Sequence, residues 1–77
     1  MTTINEIVEY ANNLIKNQDI IGFCLERDEG RQVAIRLSGQ FFKAQIEHLL
    51  NKYPELTNYW IEDFGGFMEI VYEYLEQ

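Results

Sequence analysis

The sequence predicts an α+β fold, a two-layer sandwich with two helices on one face of a four-stranded antiparallel sheet, in the order helix, hairpin, helix, hairpin (αββαββ). Two segments carry apolar residues at helical spacing. Two others read as strand pairs folded back at glycine-bearing turns. At 77 residues and 47% hydrophobic content, the chain makes one domain (1–77), close to the size at which a single core is barely sufficient.

The first helix opens at Thr3-Ile4-Asn5-Glu6, a capping box in which the Thr3 hydroxyl accepts from an early N–H and Glu6 reaches back. Ile4, Ile7, Val8, Ala11, Leu14 and Ile15 then share one side, and Asn5, Glu6, Glu9, Asn12, Asn13 and Lys16 the other. The helix should end near Asn17, since asparagine tolerates a left-handed cap.

Residues 20–38 read as the first hairpin. Ile21, Phe23 and Leu25 alternate with Gly22, Cys24 and Glu26; Val33, Ile35 and Leu37 alternate with Ala34, Arg36 and Ser38. Asp28-Glu29-Gly30 suits a three-residue loop with Gly30 left-handed. That register sets Leu25 against Val33, Phe23 against Ile35 and Ile21 against Leu37. All six apolar side chains then face the core, and Cys24, Glu26, Gln32, Ala34 and Arg36 face away from the helices.

Residues 40–53 read as the second helix, with Phe42, Ile46, Leu49, Leu50 and Tyr53 as its apolar stripe and Pro54 as its stop. Residues 54–57 lead into the last hairpin, which turns at Gly65-Gly66. Glycine supplies the positive φ that a type I′ turn needs at both central positions. A two-residue loop pairs Phe64 with Phe67, Asp63 with Met68, Glu62 with Glu69, Ile61 with Ile70, Trp60 with Val71, Tyr59 with Tyr72 and Asn58 with Glu73. Tyr59, Ile61, Met68, Ile70, Tyr72 and Tyr74 fall on the core side. A helix over 67–76 is the alternative, but a Gly-Gly start and the run Ile-Val-Tyr-Glu-Tyr favour the strand. Against the strand stands Glu62 facing Glu69, a like-charge pair. Leu14, Lys16 and Glu26 recur as Leu50, Lys52 and Glu62, 36 residues on, a coincidence that duplication or convergence explains equally well.

Net charge is −7. Residues 1–52 hold seven acids and six bases, whereas 53–77 hold six acids and no base. Phosphate contact needs a basic patch, so direct nucleic-acid binding is disfavoured and a basic protein partner favoured, with plain solubility as the bland alternative. No apolar run approaches the roughly 20 residues of a membrane span. The lone Cys24 forms no internal disulfide, which suits a reducing cytoplasm, and the start of the chain lacks the pattern of a signal peptide.

Candidate chemistry is sparse. His48 stands off its helix's apolar stripe, near Phe41 and Ala44, with no second histidine or cysteine pair to complete a zinc site. A Cys24 nucleophile with His48 as base lacks any feature that would lower the thiol pKa. Glu62, Asp63, Glu69 and Glu73 lack the spacing of a calcium loop. No catalytic residue, metal or cofactor is therefore expected. The partner-binding candidates are Trp60, Glu62, Phe64, Phe67, Glu69, Val71 and Glu73, because aromatic residues concentrate at interface hot spots and acids around them select a basic partner. The expected function is a non-enzymatic protein-binding module, such as an inhibitor or immunity-type protein occupying a basic, nucleic-acid-binding surface. A homo-oligomeric adaptor (a homodimer in its simplest form) associating through the sheet, and a small-ligand or metal-binding module, are the alternatives.

Overall fold

Thr3 caps the first helix, α1 (Ile4–Asn17), its Oγ1 accepting from the Glu6 N–H at 3.3 Å. In this computed structural model residues 2–18, 21–38 and 43–76 are described, so Phe41 and Phe42 lie outside the described residues. The chain continues through β1 (Ile21–Arg27), β2 (Gln32–Ser38), α2 (Lys43–Lys52), β3 (Leu56–Asp63) and β4 (Met68–Tyr74). This is the expected αββαββ order, and the last segment is a strand rather than a helix. α1 closes on Gln18 at φ −98°, not on a left-handed asparagine. No described helix is long and apolar enough to cross a membrane.

The strands form one antiparallel sheet in the order β1-β2-β4-β3. Ile7, Ala11 and Ile15 of α1 and Ile46 and Leu49 of α2 pack on Val33, Ile35, Leu37, Ile70 and Tyr72. Both helices therefore cover the same side, and among the described residues the other side of the sheet carries no helix.

The β3–β4 hairpin has the expected register, from Asp63 opposite Met68 to Asn58 opposite Glu73, with a bulge between Leu56 and Asn58. Its turn differs in type. Gly65 has φ +87°, whereas Gly66 is not left-handed, the sign pattern of a type II′ turn. The Asp63 carboxylate accepts from the Gly65 N–H at 2.8 Å and helps set the turn.

The β1–β2 hairpin departs from its expected register by one residue. Leu25 lies opposite Ala34, Cys24 opposite Ile35 and Phe23 opposite Arg36. A slip of one sends every side chain of a strand to the other face. Cys24 consequently faces the core at 5% exposure, while Ile21 (77% exposed) and Phe23 (46%) face away from the helices. The turn holds four residues, Asp28 to Arg31, with Asp28, Glu29 and Gly30 all at positive φ. Contacts from two elements fit this register. From α1, the Asn12 carboxamide bonds both backbone groups of Cys24; from β2, the Arg36 carbonyl oxygen approaches so closely that a Cβ on Gly22 would fall 2.4 Å from it. The two smallest residues of β1, Gly22 and Cys24, lie on the helix side with Glu26, and Ile21, Phe23, Leu25 and Arg27 turn outward. The slip also separates Glu26 from Glu62, which lie on opposite sides of the sheet, so the 36-residue coincidence does not mark equivalent positions.

Candidate functional site: the helix-free face of the sheet

Three cross-strand rows build this face. They read Phe23, Arg36, Glu69, Glu62; then Leu25, Ala34, Val71, Trp60; then Arg27, Gln32, Glu73, Asn58. All seven candidates lie on this side or at its turn, but they do not share one environment. Glu69 and Val71 are buried, at 1% and 0% exposure, whereas Phe64 and Glu73 are exposed and Trp60, Glu62 and Phe67 half-buried.

Glu69 is buried because the first hairpin neutralises it. Arg36 bonds its Oε2 through Nη2 at 2.7 Å and Nε at 3.0 Å, and Arg27 ion-pairs with Oε1. Two charge-assisted contacts on one carboxylate offset the desolvation that a lone buried acid would suffer. They also remove the expected repulsion with Glu62, so Glu69 offers no free charge to a partner.

The arginines organise the rings as well. The Arg36 guanidinium lies 4.6 Å from the centre of the Phe67 ring and 5.7 Å from that of Phe23. Phe64 stacks on Phe67 at 4.9 Å. The Trp60 indole N–H donates to Glu62 at 3.0 Å, and Asn58 donates to Glu73 at 3.3 Å. Neither Glu62 nor Glu73 has an ion-pair partner among the described residues. The face thus carries three carboxylates and two guanidiniums, and is less acidic than the count over 53–77 suggests. Glu55 is another reason. It is buried at the opposite end of β3 and accepts from the Thr2 N–H at 2.7 Å, a bond that holds its carboxyl below the usual range.

Sequence reasoning missed Ile21, Phe23, Leu25 and Arg27 as members of this face, while Gln32, Ala34 and Arg36 lie there as expected. Gly22 and Cys24 carried the signal: two small side chains on one side of a strand suit a helix packed close above it.

The other candidate chemistry is dispersed. Cys24 lies in the core beneath α1, not on the far face as expected, and burial pushes its thiol up to about 12, so it stays protonated near neutrality. His48 is exposed on α2, hydrogen-bonded to the Tyr10 hydroxyl at 2.6 Å. Among the described residues no three His, Cys, Asp or Glu side chains converge on a point that could hold a metal. Comparison with protein-family models, with curated proteins and with solved structures finds no match for this chain.

Proposed function

We propose that the chain is a non-enzymatic protein-binding module that docks the helix-free face of its sheet onto a basic protein surface. The observation that carries this reading is a helix-free sheet face with Phe23, Trp60, Phe64 and Phe67 on it and, beside them, two carboxylates, Glu62 and Glu73, that form no ion pair among the described residues. The rings supply dry contact area, and the carboxylates take lysine or arginine side chains and speed encounter. A groove that binds nucleic acid is the concrete target, which makes the chain an inhibitor of immunity type. The reading sets it in a reducing cytoplasm, where its one thiol needs no partner.

The experiment is affinity capture from the native source, with mass spectrometry, by the wild type and by Trp60→Ala combined with Glu73→Lys. A partner with a basic surface should be retained by the wild type and lost by the variant, and its affinity should fall steeply as salt rises. Equal capture by both would place the binding surface elsewhere.

A further inference from the structure

The two edges of the sheet are finished differently. In an antiparallel ladder, alternate residues turn their backbone groups toward the neighbouring strand and away from it. The Phe64 N–H bonds the Phe67 carbonyl at 3.0 Å, which sets that alternation in the second hairpin. Asn58, Trp60 and Glu62 therefore point to β4, and Tyr59, Ile61 and Asp63 point outward from β3. On β1 the outward groups at Cys24 are closed by α1. Asn12 Oδ1 accepts from the Cys24 N–H at 2.7 Å, and its Nδ2 donates to the Cys24 carbonyl at 3.0 Å.

On β3 no hydrogen bond among the described residues reaches the outward backbone groups of Tyr59, Ile61 or Asp63. An unpaired edge is a template for another strand, and proteins that avoid pairing place proline, charged side chains (lysine above all) or a covering element there. β3 contains neither proline nor lysine, and its two acids, Glu62 and Asp63, stand together at its turn end. Its bulge lies at its beginning, so Asn58 to Asp63 remains regular, and Ile61 is 43% exposed beside the edge.

We infer that β3 pairs antiparallel with β3 of a second copy of this chain, about a two-fold axis at Trp60, so that the two sheets become one. The sequence of the strand suits this register. Tyr59 exchanges both backbone hydrogen bonds with Ile61 of the copy, and the two side chains meet on the helix side. Trp60 meets itself on the open side. Glu62 falls opposite Asn58, and Asp63 opposite Thr57, so no carboxylate faces another. Moving the axis to Glu62 would set that carboxylate against its own copy, an unfavourable pair.

The inference goes beyond the proposed partner site, because it uses the edge of the sheet rather than its face. It also enlarges that face. Strand rise and spacing give one open face about 400 Å², against about 800 Å² on each side of a standard stable interface. Two faces joined at β3 reach that size.

Sedimentation over a range of concentrations, with amide hydrogen exchange, tests the pairing in the full chain. The wild type should sediment as a dimer that dissociates on dilution, with the amides of Tyr59, Ile61 and Asp63 protected in the dimer. Ile61→Pro should be a folded monomer by circular dichroism, because the N–H it removes is not used within the chain. Ile61→Lys is the second variant, with the same expectation and no backbone change. In a Cys24→Ala background, Trp60→Cys should cross-link two chains under mild oxidation, since facing residues at a position of this type have Cα atoms about 4.5 Å apart. A wild type that stays monomeric at near-millimolar concentration, or a dimer that persists in Ile61→Lys and leaves Trp60→Cys uncross-linked, would overturn the inference. Either result leaves the face available to a partner, so the two readings fail separately.

Discussion

The two hairpins have similar lengths and similar alternation, yet only one of them has the register that its sequence suggests. In β3–β4 the turn decides. Two adjacent glycines leave one economical reversal, and it puts Tyr59, Ile61, Ile70 and Tyr72 on the helix side. In β1–β2 the turn region Asp28-Glu29-Gly30-Arg31 is compatible with loops of different length, and a contact from outside the hairpin decides instead. Asn12 grips the Cys24 backbone beneath α1, and β2 leaves no room for a side chain at Gly22. Apolar alternation sets a register only where the covering layer accepts large side chains. Beneath a close helix, a strand's small residues face inward and its large ones go to the other surface.

The largest test of that contrast is a matched pair of charges in β1. Cys24→Asp puts a carboxylate with no partner at a position that is 5% exposed in the core. The cost should be about 4 kcal/mol or more, comparable with the whole stability of a chain this size, about 4–12 kcal/mol. Phe23→Asp changes a half-exposed position opposite Arg36 and should shift stability by no more than about 1 kcal/mol. Urea unfolding of both variants reads the difference. The reverse order of effects would restore the register in which Phe23 faces the helices.

Much of the rest was legible. The helix starts at the expected cap, the αββαββ order follows from periodicity, and the open side of β3–β4 follows from the Gly65-Gly66 turn. Two features were not, and both depend on contacts between distant segments. The strand order, with β2 beside β4, comes from pairing that no local pattern encodes. The fate of Glu69 depends on Arg27 and Arg36, which are 42 and 33 residues away in sequence. A count of acids over 53–77 assigns Glu69 to the solvent field, whereas the fold uses it to tie the second hairpin to the first. Trp60, Glu62, Phe64, Phe67 and Glu73 remain at the surface, joined by Phe23 from the hairpin whose register was misread.

That tie gives an effect of intermediate size. Glu69→Ala leaves two guanidiniums without their carboxylate. Removing one partner of a fully buried pair costs about 3–5 kcal/mol. The Arg27 and Arg36 side chains are 32% and 44% exposed and can turn toward water, so about 2 kcal/mol is expected here. Glu73→Ala, an equal loss of charge at an exposed position of the same strand, should stay within about 0.5 kcal/mol. Equal effects in urea unfolding would mean that Glu69 is as solvated as Glu73. If so, the acid would again be available to a partner.

The smallest effects lie at the turns, and they separate the hairpins by backbone alone. Gly65 has φ +87° with open space around it, so a methyl there meets no neighbour and acts only through the left-handed backbone. Gly65→Ala should cost about 1 kcal/mol, and Gly66→Ala, at a position that is not left-handed, within about 0.5 kcal/mol. In the first hairpin the relation inverts. Glu29 already bears a side chain at φ 55° and is highly exposed, so Glu29→Gly relieves strain and should gain up to about 1 kcal/mol, less the added freedom of the unfolded chain. For a chain of this length each kcal/mol moves the melting temperature by about 4–8 °C, within reach of a calorimetric scan. A Gly66→Ala loss as large as that of Gly65→Ala would mean that both glycines are left-handed. The turn would then be type I′, and the second hairpin would keep its register with a different reversal.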